Sequence, residues 1–240
     1  MRAAPLLSVE NVVKTFGGVR ALDGCSLTIE KGVCTGIIGP NGSGKTTLLN
    51  VINGFHKPDS GRVYLNGRRI DKLPPSTICR LGVGRVFQVT KLFNGMTVLE
   101  NVMVEAVWMK KDLDAVRERA LELLRDFGIP LSLKDELAGR LSGGQQKLVD
   151  LARALVADPE ILLLDEPLAG VHAAIKEKIM KIVNELVRGG KTLVFVSHDI
   201  PSIMKVAQDV VFMSAGKVLV RGRPDEIRSH EEVITAYLGV

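Results

Sequence analysis

The chain has 240 residues, 46% hydrophobic and 25% charged, with a net charge of +5 and a pI of about 9.2. That balance suits one large globular domain or two small ones and excludes a disordered chain. Trp108, two Tyr and seven Phe are too few aromatics for a single-stranded nucleic-acid stacking platform, and the basic residues form no long run.

The opening residues, Met1-Arg2-Ala3-Ala4-Pro5, do not read as a signal peptide. No apolar run approaches the ~20 residues that span a bilayer, so any membrane spans are expected on another chain. Cys25, Cys34 and Cys79 have no metal-ligand spacing and read as small core residues in a reducing compartment.

In chain order, residues 7–13 and 25–29 read as strands separated by a turn at Phe16-Gly17-Gly18. Residues 33–38 read as a buried strand and 47–53 as a helix stopped at Gly54. Residues 62–65 and 68–70 flank Asn66-Gly67, a strong type I′ hairpin signal, so an antiparallel layer is expected alongside the 33–38 strand. Residues 83–87 read as a strand ending at Gln88. Thr97-Val98-Leu99-Glu100 is a capping box, opening a helix with Val98, Val102 and Ala106 on one face. Leu113, Val116, Ala120, Leu123, Leu124 and Phe127 repeat at helical spacing up to Gly128 and Pro130. A helical insertion is therefore expected over about 89–149. Strands at 161–165 and 192–196 then flank a helix carrying Ile175, Ile179, Ile182 and Leu186, and strands at 209–213 and 217–220 close the sheet. Glu226 and Glu231 fall in short terminal helices. Alternating strands and helices imply a mainly parallel sheet covered on both faces, in one unit spanning 1–240.

Gly39-Pro40-Asn41-Gly42-Ser43-Gly44-Lys45-Thr46-Thr47 fits G-x-x-x-x-G-K-[ST] between a predicted strand and a predicted helix. Glycines let backbone N–H groups curl around a polyphosphate, and the helix start adds unpaired donors and a positive dipole end. Lys45 supplies a point charge for the β/γ-phosphates, and the Thr46 hydroxyl is a ligand for Mg²⁺. Leu164-Asp165-Glu166 closes a buried strand at its carboxyl end, where α/β sheets place ligands. Asp165 is placed to hold Mg²⁺, and Glu166 to orient or deprotonate an attacking water. Ser142-Gly143-Gly144-Gln145 opens another helix. Ser142 and Gln145 alone make a capping box, but two glycines in a first turn cost about 1 kcal/mol each. Bare N–H groups there fit a second phosphate contact, best explained if it serves another chain's nucleotide.

On these motifs the chain resembles an ATP-binding-cassette (ABC) nucleotide-binding domain over nearly its whole length. Leu141 to Gln145 resembles the family signature, Gly39 to Thr46 its Walker A motif, Ile161 to Asp165 its Walker B motif and Glu166 its catalytic glutamate. Gln88 resembles the Q-loop glutamine and His198 the switch histidine, and Phe16 falls where the family stacks an aromatic on adenine. The resemblance implies an α/β phosphate-loop (RecA-like) core with an antiparallel β layer and an inserted helical subdomain. It implies an ATPase using ATP and Mg²⁺, with Glu166, His198, Gln88 and Lys45 catalytic and with Thr46, Gln88 and Asp165 near the metal. It also implies a second ABC ATPase chain, identical or related, transmembrane permease subunits on separate chains, and a peripheral place on the cytoplasmic face of the membrane.

Gly84-Arg85-Val86-Phe87-Gln88, Met96 to Asn101, the Ala169-Gly170 pair and Val233 to Gly239 resemble the ATPases of branched-chain amino acid importers. Leu168-Ala169-Gly170-Val171 lacks the Asp that many members use for a cross-dimer contact, and His172-Ala173 also departs from that branch. Two alternatives accompany this reading. One is a lipopolysaccharide-extracting or urea-importing branch. The other is a soluble ATPase acting on nucleic acid or ribosomes, disfavoured because the chain has no long coiled coil and only one cassette.

Overall fold

The structure, a computed structural model, describes residues 4–108 and 112–238. Met1 to Ala3, at the amino end, and Gly239, within the carboxyl-terminal resemblance, lie outside the described residues, as do 109–111 inside the expected insertion.

Strands β1 (Leu7–Phe16) and β2 (Val19–Ile29) form a hairpin longer than the 7–13 and 25–29 expected. Register shifts after Val9, with Asn11 in left-handed backbone, interrupt the alternation by which strands are recognised. β3 (Cys34–Ile38) leads to helix α1 (Lys45–Ile52), and β4 (Ser60–Leu65) and β5 (Arg68–Arg69) form the hairpin closed by Asn66-Gly67. A short helix, α2 (Pro75–Arg80), starts on Pro75 ahead of β6 (Val83–Val86). α3 (Val98–Trp108) and α4 (Leu113–Asp126) follow, then α5 (Gly143–Val156), β7 (Ile161–Asp165), α6 (Ala173–Arg188) and β8 (Thr192–Val196). The chain ends with α7 (Ile200–Val206), the β9–β10 hairpin (Asp209–Ser214, Lys217–Gly222), α8 (Pro224–Arg228) and α9 (Glu231–Leu238).

The described residues form two sheets. The larger runs β10-β9-β3-β8-β7-β6, parallel from β9 to β6, with β10 antiparallel at its edge. The smaller, β2-β1-β4-β5, is antiparallel. The antiparallel layer does not adjoin the phosphate-loop strand as expected. β3 pairs with β8 and β9, and α1 lies between the sheets: Leu48, Leu49, Val51 and Ile52 share one apolar cluster with Val9, Leu22 and Val63 and with Ile37, Leu163 and Val194. The next residue along each central strand points the other way. Ile38, Leu164 and Phe195 pack instead with α3, α4, α5 and α6 through Val102, Leu124, Leu148 and Ile179. The carboxyl ends of β3, β6, β7 and β8 consequently open on one edge, where loops following neighbouring strands converge. No helix among the described residues is long and apolar enough to cross a membrane.

Candidate active site

The loop between β3 and α1 is shaped by glycines at positions no other residue fills without displacement. A Cβ on Gly39 would stand 2.1 Å from the Met213 carbonyl oxygen, and one on Gly44, at φ +101°, 2.5 Å from that of Ala21. Close backbone approach, as well as left-handed geometry, therefore fixes both. The Lys45 ammonium is buried and donates to the carbonyls of Gly39 (2.8 Å) and Pro40 (2.9 Å) and to Ser43 Oγ (3.3 Å). Burial holds its pKa below the ordinary lysine value, and the charges of Glu166 and Asp165 pull it partly back.

β7 delivers two carboxylates in sequence. Asp165 Oδ1 accepts from Thr46 Oγ1 at 3.3 Å, while Oδ2 accepts from Arg85 Nη2 at 2.8 Å. Glu166 sits at φ +50°, an uncommon conformation for a residue with a side chain, while its N–H donates to the Val196 carbonyl at 2.9 Å. The turn aims the Glu166 carboxylate at the end of β8, where its Oε2 accepts from the His198 N–H at 3.2 Å. His198 Nε2 is 3.1 Å from Glu166 Oε1 but makes no hydrogen bond to it, so that buried oxygen has no donor among the described residues.

A cavity of about 380 Å³ joins these groups. Asn41, Gly42, Gly44, Lys45, Thr46 and Thr47 form its floor, and Gln88, Glu166 and His198 converge from three other strand ends. Its remaining wall is Val19, Arg20 and Ala21 from the start of β2. Phe16 does not line it. The ring packs edge-on against His56 at 5.0 Å and is 42% exposed, while Val19, its partner across the hairpin, does line the cavity.

Ser142, Gly143, Gly144 and Gln145 are not part of this cavity either. Ser142 Oγ accepts from the Gln145 N–H at 3.3 Å, and Gln145 Oε1 accepts from the Ser142 N–H and hydroxyl at 3.0 Å each, so the capping box is formed. The two glycines differ. A Cβ at Gly143 meets nothing within 4 Å, whereas one at Gly144 would lie 2.7 Å from Ile175 Cγ1 on α6. Gly144 thus has a packing reason that the sequence reading missed.

Two further residues were given no role in the site from sequence. Lys147, buried on α5, donates to the Gln88 carbonyl at 2.6 Å, and burial lowers its pKa. Arg85, buried in β6, pairs with Asp165, and burial lowers its pKa too. A signal was available for Arg85, a charge amid apolar neighbours, which requires a partner; Lys147, next to Gln145 and Gln146, carried none. Cys25 and Cys34 are buried, as expected, and burial raises their thiols to about 11 and about 12. Cys79 is only half-buried, and its thiol meets Glu105 Oε1 at 3.6 Å.

The family model described as "ABC transporter" matches residues 22–169, and that described as "Branched-chain amino acid ATP-binding cassette transporter" matches residues 217–240. The chain is 35% identical to the probable branched-chain amino acid transport ATP-binding protein LivG of Archaeoglobus fulgidus, covering 98% of this chain and 95% of the relative. It is 34% identical to the lipopolysaccharide export system ATP-binding protein LptB of Haemophilus influenzae, covering 98% and 97%. Among solved structures it is similar to the ADP conformation of an ATP-binding cassette of an ABC transporter, at a TM-score of 0.87 and 36% identity, with 99% and 100% covered. It is also similar to a dimeric bacterial ABC transporter cassette, at a TM-score of 0.83 and 32% identity, with 91% and 98% covered. The chain belongs to the ABC transporter family, as one of its nucleotide-binding ATPase cassettes.

Proposed function

We propose that this cassette powers a branched-chain amino acid importer from the cytoplasmic face of the membrane, acting as one nucleotide-binding domain with a helical subdomain at about 89–149. The observation that carries the catalytic part is the convergence of Lys45, Thr46, Gln88, Glu166 and His198 on one cavity. Two copies, or this chain and a related one, clamp head to tail. Each ATP then lies between Gly39–Thr46 of one chain and Ser142–Gln145 of the other.

The residues present suit Mg²⁺: Thr46 Oγ1 and Asp165 Oδ1 are hard oxygen donors facing each other, with Gln88 in the same cavity. So few protein ligands fit a cation that keeps water and phosphate oxygens around it. Thr46, Asp165 and Gln88 would hold it, and its charge would offset that building on the phosphates. Lys45 leaves its loop carbonyls for the β/γ-phosphate oxygens. Glu166 orients a water in line with the γ-phosphorus and accepts its proton as the bond to ADP breaks. His198 donates to the γ-phosphate as charge develops. The adenine lies at the β1–β2 hairpin, against Val19 and the adjacent Phe16.

The permease, on separate chains, docks beside the Gln88 loop, where Phe55 and Phe93 are each 53% exposed on a groove of about 460 Å³. The cargo assignment is supported by the named relatives and the carboxyl-terminal family match. The similarity to a lipopolysaccharide exporter's subunit keeps that export as the second reading.

Turnover per chain should rise with protein concentration through the monomer–dimer range; turnover independent of concentration there overturns the shared-site mechanism. Vesicles carrying the cassette and its co-purifying permease should take up labelled leucine only with ATP. Lipopolysaccharide release without uptake would favour the second reading.

A further inference from the structure

β6 consists of four buried residues, Val83, Gly84, Arg85 and Val86. A guanidinium on such a strand is costly to desolvate, whereas an aliphatic residue would match its neighbours. The cost is not fully offset by hydrogen bonds. Arg85 Nη2 donates to Asp165 Oδ2, but Nε and Nη1, both buried, have no hydrogen-bond partner among the described residues. The Phe87 ring, 4.7 Å from the guanidinium carbon, supplies only a cation–π contact. Buried donors are nearly always paired, so an arginine kept with two unpaired ones calls for a reason beyond packing.

The geometry of Asp165 supplies one. β6 and β7 are parallel neighbours, and Arg85 stands opposite Leu163, two residues before Asp165. The side chain therefore reaches forward along the sheet to the carboxylate at the strand end. There it takes Oδ2 at 2.8 Å, leaving Oδ1 to face Thr46 Oγ1 at 3.3 Å. A carboxylate torsion is broad and roughly two-fold, so an unheld Asp presents either oxygen, or both, to a cation. A guanidinium anchored in a packed strand fixes a plane that a lysine ammonium, a point charge on a flexible stem, does not.

We infer that Arg85 is a positioning residue for the divalent cation: it holds Asp165 Oδ2 from behind so that Oδ1 alone faces the phosphate loop, and it touches neither nucleotide nor metal. The inference rests on the assignment of Asp165 and Thr46 to Mg²⁺ given above.

The test measures nucleotide binding as a function of cation, without turnover. In the full chain, ADP is titrated calorimetrically into the wild type, Arg85→Met, Arg85→Lys and Asp165→Asn, with EDTA and over a Mg²⁺ series. In EDTA, the affinities of the Arg85 variants should stay within about two-fold of wild type, as for a residue that acts only through a cation ligand. The Mg²⁺ concentration that half-maximally enhances binding should rise about ten-fold in Arg85→Met and less in Arg85→Lys. Adding Arg85→Met to Asp165→Asn should change it no further, because the two act as one unit. A normal Mg²⁺ response in a folded Arg85→Met, or an equal loss of affinity in EDTA, overturns the inference. Should Arg85→Met fail to fold by circular dichroism, Arg85→Lys and Arg85→Gln decide by the same criterion. A normal Mg²⁺ response in Asp165→Asn would instead overturn the underlying metal assignment.

Discussion

The Lys147 ammonium on α5 donates to the carbonyl oxygen of Gln88 at 2.6 Å, and that of Phe87 is 3.5 Å away. The helix that begins with Ser142-Gly143-Gly144-Gln145 is thereby tied to the loop that brings Gln88 into the nucleotide cavity. Lys147→Met removes the tie and leaves two carbonyls without their donor. Misplacement of a positioning group costs about ten- to a hundred-fold, so ATP turnover should fall by that much while nucleotide affinity is retained. Lys147→Arg should keep most of the rate. Steady-state ATPase assays paired with nucleotide titrations check this; unchanged turnover in Lys147→Met would reduce the contact to packing.

The two signature glycines should separate into a structural and a functional one. Gly144→Ala drives a methyl to 2.7 Å from Ile175 Cγ1 and should destabilise the fold by about 1–3 kcal/mol, the usual cost of overpacking. Ile175→Ala in the same chain should recover part of that loss. Gly143→Ala meets open space and should raise helix stability by up to about 1 kcal/mol, yet lower the concentration-dependent turnover. Urea unfolding and ATPase assays on the same preparations separate the two effects.

Glu166→Gln keeps the shape, the left-handed turn and the oxygen that accepts from His198 N–H. It removes the charge and, on the proposed mechanism, the base. Turnover should fall by at least about a hundred-fold, within the range general-base catalysis supplies, while ATP binding persists. Equilibrium dialysis with ATP alongside a phosphate-release assay tests the pair of outcomes, and near-normal phosphate release would remove Glu166 from its role.

Asp71 gives a pH-dependent contribution to stability. Burial pushes its carboxyl up, but Arg69 and the Val63 N–H, at 2.9 Å and 3.1 Å from Oδ1, outweigh that and hold it below its usual value of 3.8. With the folded pKa depressed, the contribution is present above the unfolded value and lost as pH falls through the folded one. Asp71→Ala should cost about 1–3 kcal/mol at pH 7, chiefly through the unpaired Val63 N–H, because Arg69 is partly exposed and screened. The gap to wild type in urea unfolding should be unchanged at pH 5 and shrink only below about pH 3.8.

The central strands were legible because they are short, mostly apolar runs, with one polar residue each, Asp165 and Thr192: 161–165 and 192–196 match β7 and β8 residue for residue. The phosphate loop and the Asp165-Glu166 pair were legible because their chemistry restricts local sequence. α2 and α7 were not, being only 6 and 7 residues long, each with a proline in its first turn and too little length for helical periodicity. That Val19, the hairpin partner of Phe16, lines the cavity was not legible, because which side chain of a hairpin faces a cavity depends on bulges. Arg85 and Lys147 escaped for a related reason. Their partners, Asp165 and Gln88, are brought to them only by strand order and helix packing.

The seating of Gly144 against Ile175 has a consequence for a pair of chains. It sets the start of α5 against the start of α6, the helix that follows Glu166 in sequence. In a head-to-tail pair, α5 of one chain would address one nucleotide and Glu166 of that same chain the other. The Gly144–Ile175 seam would therefore lie between two nucleotides rather than beside one, and a displacement at the first would be felt at the second. Turnover by the pair should accordingly be cooperative in ATP, with a Hill coefficient above about 1, and Ile175→Ala should flatten the curve toward a hyperbola while leaving each site able to bind.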